Sequence, residues 1–130
     1  MKTNLKLALA VVAGVLIGFA GAKAIHAQQP KAPPAYVVAE VEVTDPTTLK
    51  KYSEKAPQIV ASFNGHYVVR GGKVQTHEGE PPKGYVVAIG FDSAERAREW
   101  CDSPAYAAIR PFRQSSTKSR LFIVEGEVLQ

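Results

Sequence analysis

One short pattern occurs twice in this chain. Tyr36-Val37-Val38-Ala39 returns as Tyr85-Val86-Val87-Ala88, and each copy is followed by a helix-start signal, Asp45-Pro46 in the first and Asp92 in the second. Each half then closes on an apolar run that stops at a charge and a glycine, Tyr67-Val68-Val69-Arg70-Gly71 first and Phe122-Ile123-Val124-Glu125-Gly126 second. A strand–helix–strand unit written twice leaves few solutions, because both helical stripes must be buried against the sheet that the strands build. The pattern predicts an α+β, ferredoxin-like βαββαβ domain, a four-stranded antiparallel sheet with its helices on one face.

The first 27 residues have the layout of a secretory signal peptide. Lys2 and Lys6 precede an apolar run from Leu7 to Ala20, and small residues lead to a cut after Ala27, or after Ala24. An uncleaved anchor is the competing reading, and the run is shorter than the roughly 20 apolar residues a spanning helix needs. The expected location is therefore outside the cytoplasm, periplasmic or secreted, with no membrane contact after cleavage. Residues 28–35 read as a proline-stiffened linker and 36–128 as one small domain.

The leader also carries most of the charge surplus. The chain has 16 Lys and Arg against 12 Asp and Glu, and Lys2, Lys6 and Lys23 lie in a leader without acids, leaving 13 against 12. No basic stripe interleaved with aromatics remains, which excludes a nucleic-acid reading. Cys101 is the only cysteine, so no intramolecular disulfide can staple the domain.

Within the first half, Val37, Ala39, Val41 and Val43 alternate with Tyr36, Val38, Glu40 and Glu42, the period of a strand with one well-buried face. Leu49, Tyr52, Ala56, Ile59 and Phe63 recur at helical spacing, and Pro57 must kink that helix or divide it. Asn64-Gly65 marks its end. On the next strand Tyr67 and Val69 are expected on one face, with His66, Val68 and Arg70 on the other. Lys73 to Glu78 can continue it, before a loop over 79–84. In the second half Asp92 and Glu95 approximate a capping box, and Ser103-Pro104 restarts a helix carrying Tyr106, Ile109 and Phe112. The closing strand is expected over about 120–124. Val38, Val68, Val86, Ala88, Phe122 and Val124 make the second face of the sheet apolar as well, which predicts a symmetric homodimer through that open face.

Several of these segments resemble one family. Asn64-Gly65-His66-Tyr67-Val68-Val69-Arg70-Gly71-Gly72, Glu78-Gly79, Trp100 followed by Ser103-Pro104-Ala105-Tyr106, and Arg113 with Ile123-Val124-Glu125-Gly126 are similar to the motifs of domain of unknown function 1330. The resemblance spans nearly the whole domain and implies a dimeric α/β barrel. Its wider superfamily includes cofactor-free monooxygenases, isomerases and haem-handling enzymes, and the family itself implies no agreed reaction. Asn64 stands where the family usually has glycine.

Arg70 is the most suggestive candidate, a permanent cation able to clamp a carboxylate or enolate bidentately, with an ion pair to Glu78 or Glu40 as the plainer reading. His66 is the candidate acid or base. Tyr52 and Tyr106 carry hydroxyls able to orient a substrate, and Trp100 is either a pocket wall or simple core. Arg113 enters the candidate set with the family's C-terminal segment. Neither metal nor cofactor is expected, because His66 and His77 lack ligand spacing, and Cys101 reads as a buried thiol. The expectation is an exported small-molecule-binding dimer, an enzyme acting on a small carbonyl or phenolic compound if it is one. Arg70 would then polarise an oxyanion and His66 move a proton. The alternatives are a non-catalytic module for a small anion and a purely structural dimer. A pocket of a few hundred cubic ångströms is expected between sheet and helices for either functional reading.

Overall fold

The computed structural model describes residues 31–128 and 130; the predicted leader and the first residues of the linker lie outside the described residues. Eight elements follow in order: β1 (Ala35–Val43), α1 (Pro46–Ser53), α2 (Ala56–Ser62), β2 (His66–Arg70), β3 (Tyr85–Phe91), α3 (Ala94–Asp102), α4 (Pro104–Ser116) and β4 (Thr117–Glu125). The strands lie in the order β2–β3–β1–β4, and every neighbouring pair is antiparallel. The helices pack on one face, so the ferredoxin-like α+β plan read from the doubled unit is the observed one. The first strand begins one residue early, inside the predicted linker, because Ala35 is fully buried in the core.

Each helical connection is a pair of helices, and the breaks have local causes. Asp45 caps α1, its carboxylate accepting from the Thr48 amide at 3.2 Å and the Thr48 hydroxyl at 2.6 Å. Pro57 then sits in the first turn of α2, where its missing amide is harmless, so the chain restarts at Ala56. Ser103 does the same between α3 and α4: its hydroxyl donates to the Trp100 carbonyl at 2.8 Å and accepts from the Tyr106 amide at 3.2 Å. The expected capping box at Asp92 is not formed. Ser93 caps α3 by accepting from the Arg96 amide at 3.1 Å, while the Asp92 carboxylate accepts from Asn64 Nδ2 at 2.7 Å.

Asn64, not Gly65, takes the left-handed turn after α2, with φ of 58°. Gly65 is required for close approach: a Cβ there would stand 2.6 Å from the Phe91 ring and 2.9 Å from Val60 Cγ1. Residues 73–78 do not extend β2. The chain from Gly71 to Gly84 is an exposed connection with glycines 71, 79 and 84 at positive φ. β4 starts at Thr117, three residues earlier than predicted, since its hydroxyl-bearing positions pair in register with Val43 and Val41.

Register sorts the side chains into rows on the helix-covered face. Val37 lies beside Ile89, Tyr67 and Ile123; Ala39 beside Val87, Arg70 and Leu121; Val41 beside Tyr85 and Ser119. Val37, Ala39, Val41, Ile89 and Phe91 are buried there against Ala97, Trp100, Tyr106 and Ile109 of the helices. The opposite face carries Val38, Ala88, Val69, Phe122 and Val124, with Phe122 45% and Val124 46% exposed. At its polar end Arg120 clasps Glu40 across the strands through Nε at 2.8 Å and Nη2 at 3.1 Å.

Candidate functional site

The placement of Arg70 is set by an irregularity in β2. His66 pairs with Gly90 and Tyr67 with Ile89, but the next pairs are Val69 with Ala88 and Arg70 with Val87. Val68 is therefore an extra residue, a β-bulge, and everything after it changes face. The expected arrangement, with His66 and Arg70 together and Val69 beside Tyr67, is corrected. Arg70 turns to the helix-covered face and stacks its guanidinium over the Tyr67 ring, 4.5 Å from the centroid. His66 stays on the open face, its ring lying over Gly90, where a Cβ would meet it at 2.9 Å. Single-residue alternation could not reveal this, because nothing in Tyr67-Val68-Val69-Arg70 marks which valine is skipped.

Arg70, Arg113, Tyr52, Tyr67, Tyr85 and Trp100 line one cavity of about 70 Å³ under the sheet, with Val37, Ala39, Val41, Val87, Ile89 and Leu121 as its aliphatic wall. This is smaller than the few hundred cubic ångströms expected, because aromatic rings fill the space. Trp100 is fully buried, 4.1 Å from Tyr106 and 5.6 Å from Phe91 between ring centroids. Tyr106 is buried behind the wall and reaches the site through its hydroxyl, 3.2 Å from that of Tyr52. Of those two hydroxyls only one proton is used between them, leaving the other to be donated.

Arg113 is the least expected member. It is only 9% exposed, held from α4 by donating through Nη1 to Ser119 Oγ at 2.6 Å, with its guanidinium 5.9 Å from the Tyr52 ring centroid. Its Nε is buried without a hydrogen-bond partner, as is Trp100 Nε1. Among the described residues no carboxylate pairs with Arg113 or with Arg70; Glu40 is taken by Arg120, and Glu78 is exposed on the 71–84 connection. Tyr67 and Tyr85 join the site as well, and the only sequence signal for them is a hydroxyl-bearing ring on an otherwise largely aliphatic strand face.

Burial keeps the phenols of Tyr52, Tyr67 and Tyr85 above the ordinary tyrosine range. Arg113 opposes this at Tyr52, Arg70 at Tyr67, and both arginines at Tyr85, whose hydroxyl lies in reach of both fields. At neutral pH the lining thus offers guanidinium, phenol and indole donors and no carboxylate or imidazole. Outside the cavity, burial pushes the Cys101 thiol up, consistent with an inert side chain. Among the described residues no three His, Cys, Asp or Glu side chains cluster as a metal site, and no helix is long and apolar enough to cross a membrane.

Residues 34–127 match the family model of the domain of unknown function DUF1330. The chain belongs to that family. Among solved structures, this DUF1330 chain is similar to RPA0582, a protein of unknown function from Rhodopseudomonas palustris, at 17% identity and a TM-score of 0.61, covering 82% of this chain and 95% of that one. It is also similar to a hypothetical protein of Arabidopsis thaliana, at 14% identity and a TM-score of 0.55, covering 79% and 96%. These likenesses establish the fold. No curated protein matches the chain in sequence.

Proposed function

We propose that this protein binds a small organic anion in the cavity between sheet and helices. The observation that carries the reading is Arg113: a buried guanidinium with an unpartnered Nε, in a lining that holds no acid. An unpaired buried charge is strongly unfavourable, and each orphaned donor near it adds about 1–3 kcal/mol. A bound carboxylate or phenolate would satisfy the arginine, and the free phenol proton of the Tyr52–Tyr106 pair would reach the same head group. The small volume limits the ligand to a body well under the drug-sized range of about 300–1,000 Å³.

Among the two functional readings, this supports a binding module over a proton-moving enzyme. His66 faces away from the cavity, and no side chain in the lining is a base near neutral pH. Small carboxylates such as butyrate should raise the melting temperature in proportion to their occupancy, whereas the matching neutral amides should not. Arg113→Gln should lose that response, with Arg113→Lys as the variant that keeps the charge. Equal stabilisation by acids and amides would sink the proposal.

Two further parts belong to the same reading. A second copy of the chain covers the open face, whose valines and Phe122 would otherwise stand in water. The leader at residues 1–27 carries the domain out of the cytoplasm, tested by whether the intact mass of the exported protein starts at Gln28.

A further inference from the structure

The cavity holds two arginines fixed at opposite edges of the sheet, both on its helix-covered face. Arg70 leaves the outer strand β2; Arg113 is anchored on Ser119 of the other outer strand, β4. In the order β2–β3–β1–β4 these anchor points are three strand spacings apart, about 14 Å at roughly 4.8 Å per step. Between them lie the aliphatic positions Ala39, Val41 and Val87, and the Tyr85 hydroxyl, within reach of both charges. The two ends differ in exposure. Arg113 is buried and rigidly tied, while Arg70 is exposed and held by its stack on Tyr67.

We infer that the ligand is a dianion with its two acidic groups at opposite ends of a short apolar body, a small dicarboxylate. One carboxylate meets Arg113 inside, the aliphatic body lies along Ala39 and Val87, and the second carboxylate meets Arg70 at the mouth. Two like charges converging on one cavity with no acid in its lining repel each other when it holds only water. A monoanion cancels one charge and leaves the other; a dianion cancels both. The Tyr67 stack leaves the guanidinium edge of Arg70 free for a bidentate contact, a geometry lysine could not supply.

This rests on the anion-binding reading, and the test separates the two. Malonate, succinate and glutarate are titrated by calorimetry against propionate, butyrate and pentanoate at constant ionic strength, on the unmodified protein, Arg70→Gln and Arg113→Lys. The unmodified protein should bind the best dicarboxylate about tenfold or more tightly than a monocarboxylate of equal length. Arg70→Gln should bring that ratio close to one, and Arg113→Lys should weaken both series. Comparable binding of both series by the unmodified protein overturns the dianion and leaves the anion site standing. A preference that survives Arg70→Gln also overturns it. If no carboxylate of either series binds, both readings fall together.

Discussion

Arg113 and Arg70 have the same chemistry and opposite situations, and burial is what separates them. Removing Arg113 costs its packing against Tyr52 as well as its charge, whereas Arg70 is exposed enough that its substitution should change ligand choice and little else. The glycines give a graded test of the backbone around this site. At Gly84 the φ is +74°, and a Cβ would overlap the Val41 carbonyl, main chain that cannot swing away. Gly84→Ala should therefore cost more than the roughly 1–2 kcal/mol of left-handed strain alone. Gly65→Ala should cost about 1–3 kcal/mol, because the Phe91 ring and Val60 must yield. Gly72→Ala, with open space around it and no positive φ, should be close to neutral. Urea midpoints of the three variants give the order directly, and a neutral Gly84→Ala would contradict the packing described.

Among the elements, β2 decides the site. Because Val68 is the extra residue, deleting it removes the bulge while preserving the pairing of Val69 with Ala88 and of Arg70 with Val87. The shortened chain should keep its carboxylate response and its dependence on Arg70. Inserting one alanine between Val69 and Arg70 should instead turn Arg70 to the open face and abolish any difference between that protein and its Arg70→Gln form. Loss of the carboxylate response on deleting Val68, in a protein that still unfolds cooperatively, would mean the bulge itself contributes to binding. The doubled helices act more simply. Pro57 and Ser103-Pro104 mark restarts that the chain announces, and α4 passes through Pro111 to Ser116 regardless of that residue.

For the whole molecule, the buried phenols set an alkaline limit. The folded pKa values of Tyr52, Tyr67 and Tyr85 lie above the ordinary value of 10.0, so the fold favours their neutral forms. Their contribution is complete below about pH 10 and is lost as pH rises beyond it, because the unfolded chain then releases protons that the folded one retains. Tyr52→Phe should flatten this decline, seen as a smaller fall in unfolding free energy between pH 9 and about 11. Parallel profiles for the two proteins would remove Tyr52 from that account. The other property at this scale is association. Phe122→Glu places a charge in the middle of the open face, and light scattering should then report half the mass of the unmodified protein if a second copy covers that face. An unmodified domain that is monomeric at high concentration would dispose of the dimer.

Period-two alternation, the repeated strand text and the proline and glycine punctuation determined the βαββαβ plan, the antiparallel sheet and the identity of most core residues. They could do so because each depends only on residues near one another in the chain. The site depended on contacts the chain does not write locally. Whether Arg70 faced the helices turned on one skipped valine in the ladder with β3. That Arg113 lost its water while gaining no acid turned on how α4 lies against β4. Arg70 and Arg113 are 43 positions apart in the sequence, and only the folded sheet brings them to one cavity.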